Sequence, residues 1–167
     1  MKRISQLLAM VLMLGIATTT IATPKITKVL PHLLDENGQH TISPSLLERD
    51  AYQAQLRKNP ELCSGIRFDI KWSKGKRKNK TSSNLKLQVE LQTSASNKPI
   101  VLTKIIKLNK NGGWDSLKFD DERYKKSGKI IAWRTILLED NDILAERKSF
   151  LWQMKKRSNN NEVPSAD

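Results

Sequence analysis

Lys74, Lys76, Arg77, Lys78 and Lys80 crowd into one polar stretch, residues 73–84, that contains no apolar side chain, and Lys71 and Trp72 stand immediately before it. Flexible cations of this kind neutralise phosphate or sulfate groups, and an adjacent indole can stack on a base or a sugar ring. These seven residues are the candidate anion-binding set, with a nucleic acid or an acidic polysaccharide as the ligand class. A charge run of the same length also serves as a solvated loop that discourages edge-to-edge aggregation, so the signal names a class of ligand and no member of it.

Other reactive side chains are sparse. The two histidines, His32 and His40, flank an Asn-Gly turn, and Asp35 or Glu36 could extend them towards a metal shell, but a mixed set without further ligands at a recognisable spacing is a weak signal and solvated loop histidines are the plainer reading. Cys63 is the single cysteine; it cannot staple its own domain, and no local motif marks it as a nucleophile, so it reads as a structural thiol. Acidic pairs occur at Asp120-Asp121-Glu122 and at Glu139-Asp140-Asn141-Asp142. The second lacks the glycine and distant glutamate of an EF-hand loop and is better explained as a hairpin turn. Gly112-Gly113 has no phosphate-cradling context and also reads as a turn. No catalytic residue, metal site or cofactor is assigned, and a small hydrolase built on the histidines is the least supported function.

The elements that position these residues are mostly strands. Ile66, Phe68, Ile70 and Trp72 alternate with Arg67, Asp69 and Lys71, which is a strand with one apolar and one wet face. Leu85, Leu87, Val89 and Leu91 repeat the pattern, and a third strand is expected over 100–108. Around Trp114, Leu117 and Phe119 the alternation is irregular and suggests a short bulged strand or an ordered connection. Residues 129–152 form the clearest element, a long β-hairpin turning at 139–142. Upstream, Pro24 and Pro31 limit a short edge strand around 26–30, and Asn37-Gly38 makes a turn. A helix is expected over 45–58, with Ser45 and Glu48 at capping-box spacing, Leu46, Leu47, Tyr52 and Leu56 on one stripe, and Asn59-Pro60 ending it.

Short strands without interleaved helices predict a mainly β domain, an antiparallel immunoglobulin-like or fibronectin-like β-sandwich with one N-terminal helix; a jelly roll is the alternative. The expected organisation is a secretory signal peptide at 1–22, an N-terminal extension with the helix at 23–62, the sandwich core at 63–153 and a disordered polar tail at 154–167. Lys2 and Arg3 precede an apolar run too short to span a bilayer comfortably, and small residues follow it up to Ala22. The protein is therefore expected to be exported to the periplasm or beyond, with no stable membrane span once the signal is cleaved. Loss of Lys2 and Arg3 lowers the formal charge from +13 to +11, an excess that favours anionic partners.

The segments ERDAYQAQLRKNPE, RFDIKW, GKIIAWR and AERKSFLW together resemble a set of small exported bacterial proteins of unassigned function. That resemblance implies export and a sandwich-type domain and brings no catalytic residues with it. The expected function is an exported, non-enzymatic β-sandwich module that binds an envelope or extracellular macromolecule, with anionic-polymer binding through the basic stretch as the alternative. The expected partner is accordingly a protein or an anionic polymer.

Overall fold

A computed structural model describes residues 22–75, 84–107 and 110–152, with Asp121 represented by its backbone. Among these residues are seven strands, β1 (Lys25–Leu34), β2 (Gly65–Ser73), β3 (Leu85–Thr93), β4 (Ile100–Ile105), β5 (Gly112–Asp120), β6 (Ile130–Glu139) and β7 (Asp142–Lys148). Two helices, α1 (Leu46–Lys58) and α2 (Asp121–Lys126), and a 3₁₀ turn at Pro60–Leu62 complete the elements. The strands make two antiparallel sheets, ordered β1-β2-β5 and β4-β3-β6-β7. The chain is mainly β, as its alternation predicts.

The alternating strands bury what their pattern dictates. Ile66, Phe68, Ile70 and Trp72 of β2 meet Leu85, Leu87, Val89 and Leu91 of β3 in one apolar cluster that also takes in Ile26, Val29, Leu117, Phe119 and Leu137. Each large side chain removed from water here contributes roughly 1.5–3 kcal/mol. Phe68 meets Trp133 edge-on, with ring centroids 6.2 Å apart.

The helix does not precede the strands. It lies between β1 and β2, and the strand expected at 26–30 is a ten-residue edge strand paired with β2 from Lys25↔Ser73 to Leu34↔Gly65. Segment 23–62 thus supplies a strand of the smaller sheet, and Pro31 is tolerated because β1 has only one strand neighbour. The buried face of α1 also differs from the expected stripe: Gln53 and Leu56 are buried, whereas Leu46 and Leu47 are exposed. Ser45 makes no side-chain cap. The Gln53 amide accepts from the Leu33 N–H (2.9 Å) and donates to the carbonyls of Leu33 (2.9 Å) and His40 (2.8 Å). It occupies the open edge of β1 much as a neighbouring strand would.

The irregular stretch at 114–119 is a regular strand. Asp115, Leu117 and Phe119 point inward and Trp114, Ser116 and Lys118 outward, so the break in apolar alternation comes from a carboxylate in an inward position. Burial pushes Asp115 up, but hydrogen bonds from Lys110 Nζ (2.6 Å), Trp72 Nε1 (2.9 Å) and Lys104 Nζ (3.0 Å) outweigh it and hold the carboxyl below its ordinary value. The hairpin expected at 129–152 is β6 and β7, turning through Asp140-Asn141 with Asp140 at φ 56°, a conformation that aspartate tolerates in turns. Glu139 belongs to the strand rather than the turn: it is 1% exposed on the inward face, 3.8 Å from the Lys74 ammonium. The outer face of the larger sheet carries an interleaved ladder in which Arg134 lies between Glu90 (3.4 Å) and Glu146 (2.8 Å) and Lys148 also reaches Glu146. The expected signal peptide, but for Ala22, and the polar tail lie outside the described residues.

Candidate anion-binding face

The register of β1, β2 and β5 determines which side chains share the outer face of the smaller sheet. Three rows cross it: His32, Arg67 and Lys118; Leu30, Asp69 and Ser116; Lys28, Lys71 and Trp114. Lys25 and Ser73 lie beyond the last row. Strand pairing and pleating bring these residues together although adjacent members of a row lie 35 to 51 positions apart in the chain, since alternate residues of each strand point the same way.

The face is strongly basic. Lys25, Lys28, Lys71 and Lys118 are exposed and Arg67 half-buried; against them stand Asp69 and, at the strand end where α2 begins, Asp120. Asp69 is already engaged: it accepts from Arg67 Nε (2.7 Å) and from the Ser116 hydroxyl (2.6 Å), and His32 Nε2 lies 3.7 Å away. Burial raises its pKa, but these donors prevail and hold it below the usual carboxylate value. Asp69 therefore remains charged at neutral pH and offsets mainly Arg67, leaving the lysines to face solvent.

Trp114 is the indole on this surface. It is 47% exposed, with the Lys71 ammonium 6.0 Å from its ring centroid, within the range of a cation–π contact. Trp72, the indole expected beside the cations, is 2% exposed and turned into the core, where it donates to Asp115; it cannot stack on a ligand. Of the other expected anion-binding residues, Lys71 lies on the face and Lys74 is directed to the buried Glu139. Lys76, Arg77, Lys78 and Lys80 lie outside the described residues.

Sequence reasoning misses Lys25, Lys28, Arg67, Lys118 and Trp114. The sign that points to Trp114 is its phase, since it does not alternate with Leu117 and Phe119 and so faces the opposite way.

The two histidines come together, with ring centroids 5.1 Å apart and planes tilted by 44°. Asp35 does not join them. Its carboxylate accepts from the Asn37 and Gln39 N–H groups and from the Tyr52 hydroxyl. Among the described residues there is no group of three metal-ligating side chains. Cys63 is buried, its Sγ 3.4 Å from the Leu56 carbonyl, and burial pushes the thiol pKa up, away from the thiolate that nucleophilic chemistry needs. No described helix is long and apolar enough to cross a membrane. Comparison with protein-family models, curated proteins and solved structures yields no match to this chain.

Proposed function

We propose that the protein is an exported, non-enzymatic binding module whose smaller sheet holds an acidic polysaccharide. One observation carries the reading: the pleat and register of β1, β2 and β5 place Lys25, Lys28, Arg67, Lys71 and Lys118 on a single outer face beside the exposed indole of Trp114. A flat row of ammonium groups with one aromatic platform suits a chain of charged sugars. Single-stranded nucleic acid binders more often offer successive aromatic side chains for successive bases.

The strand order supports an immunoglobulin-like, and specifically fibronectin-like, sandwich over a jelly roll. Lettered along the chain, β1, β2 and β5 correspond to A-B-E, and β4-β3-β6-β7 to C′-C-F-G, the arrangement in which strands C′, C, F and G share a sheet. Export rests on the leader-like pattern of residues 1–22.

The test is retention on heparin across a salt series. Replacing Lys28, Lys71 and Lys118 with glutamine is expected to weaken binding and to reduce the log-log salt slope by about 0.7–0.9 for each ammonium–anion pair removed. Trp114→Ala should weaken binding while leaving the slope nearly unchanged. If the triple variant is retained like the parent while neutralising Lys76, Arg77 and Lys78 abolishes retention, the face is the wrong surface. Tighter binding to single-stranded DNA than to heparin at equal salt would overturn the ligand class.

A further inference from the structure

At the end of the face nearest α1, protonatable and cationic side chains from β1, β2, β5, α1 and the turn after β1 converge. His32 and His40 lie 5.1 Å apart between ring centroids. Arg67 is the cross-strand neighbour of His32, and Lys118 is the neighbour of Arg67. Arg49, from the first turns of α1, acts electrostatically on both imidazoles, as does Arg67; Lys118 acts on His40. The carboxylate that faces the pair is Asp69, which is already bonded to Arg67 and Ser116. Within the turn itself, Asp35 is engaged with Asn37, Gln39 and Tyr52, and Glu36 is exposed.

The arrangement is held rather than incidental. Gln53 ties the His40 carbonyl to Leu33 through one buried amide, so the turn carrying His40 is fastened over the strand carrying His32. Two imidazoles among three permanent cations and one engaged carboxylate form a cluster short of negative charge. Burial and the neighbouring cations both lower the histidine pKa values, against the opposing effect of Asp69. An anion placed beside the two rings, against their N–H edges, would reverse that balance and draw protons onto them.

We propose that His32, His40, Arg49, Arg67 and Lys118 form a subsite for a tetrahedral oxyanion, a sulfate or phosphate group, whose binding is coupled to proton uptake by the histidine pair. The proposal deepens the polysaccharide reading, since it assigns the ligand esterified oxyanions in addition to any carboxylates, and it can fail separately from that reading. Reciprocity requires that if protonation tightens anion binding, the anion raises the imidazole pKa values by the corresponding amount. Affinity then changes by up to about tenfold per pH unit for each proton taken up.

The test is an NMR titration of both imidazoles in the purified protein, in sodium sulfate and in sodium acetate of equal ionic strength, with inorganic phosphate as a third arm. Sulfate is expected to raise both histidine pKa values relative to acetate. Arg67→Gln should diminish the difference, and phosphate acting as sulfate does would extend the site to phosphate esters. Equal histidine pKa values in sulfate and acetate overturn the subsite. Silent histidines together with Lys28/Lys71/Lys118-dependent heparin retention would overturn the subsite and leave the polysaccharide reading standing. Sulfate-responsive histidines without heparin retention would do the reverse.

Discussion

Asp115 holds a charge at an inward position of β5 because three donors converge on it. The Lys104 and Lys110 ammonium groups are partly exposed and keep much of their hydration, whereas Trp72 Nε1 is buried and has its hydrogen bond at Asp115. Removing the carboxylate by Asp115→Ala strands that N–H and is expected to cost on the order of 1–3 kcal/mol, read as a lower urea midpoint. Asp115→Asn keeps an acceptor and should cost less. In a Trp72→Phe background, which lacks the donor, the alanine change should be milder; an equal loss in both backgrounds would show that the indole bond is not the cause.

At the level of elements, β1 is an edge strand whose outward backbone groups are taken by side chains at both ends. Gln53 serves Leu33, and Arg147 Nη1 of β7 donates to the Thr27 carbonyl (2.9 Å). Such cover is one way in which proteins prevent pairing of open edges with other chains. Gln53→Ala is expected to lower stability by roughly 1–3 kcal/mol through the buried groups it leaves unmatched. It should also speed hydrogen exchange at the Leu33 amide more than at amides of β3, whereas uniform acceleration would mean that α1 does not act locally on β1.

The same elements show what sequence patterning can reveal. Strands β2 and β3 are legible because inward apolar and outward polar residues alternate from Ile66 to Lys71 and from Leu85 to Gln92, so period alone specifies the element and its faces. Strand β5 is obscured by Asp115, whose inward place is made tolerable by partners from β2, β4 and the segment before β5. The buried face of α1 escapes the apolar pattern because Gln53 is buried for its hydrogen bonds while Leu46 and Leu47 stay in water. Of the candidate face, Lys71 alone is legible. The run at 71–80 stands out because its charges are nearly consecutive, but Lys25, Lys28, Arg67, Trp114 and Lys118 become neighbours of Lys71 only through pairing of β1, β2 and β5, which no local pattern encodes.

For the whole molecule, the shifted groups set a stability profile with two declines on acidification. The folded histidines have pKa values below the ordinary 6.5, so the unfolded chain takes up protons first and stability falls as pH drops below about 6.5, until the folded imidazoles are protonated as well. Asp35, Asp69 and Asp115 all lie below the ordinary 3.8. Their contribution is present above that value and is lost as pH falls through their folded values. Urea midpoints from pH 8 to 2 should show both steps, and the upper one should flatten in a His32→Gln/His40→Gln variant. Persistence of the upper step in that variant would assign it to other groups.

The ladder Glu90–Arg134–Glu146–Lys148 on the larger sheet interleaves its charges, while the smaller sheet is predominantly positive on its outer face. Among the described residues the two outer faces are therefore electrically unequal. Near a polyanion the resulting torque would turn the β1-β2-β5 side inward before contact. At low ionic strength, where fields reach tens of ångströms, encounters would become productive at a higher frequency than random tumbling allows. Added salt would thus slow capture by loss of alignment as well as weaken the complex once formed.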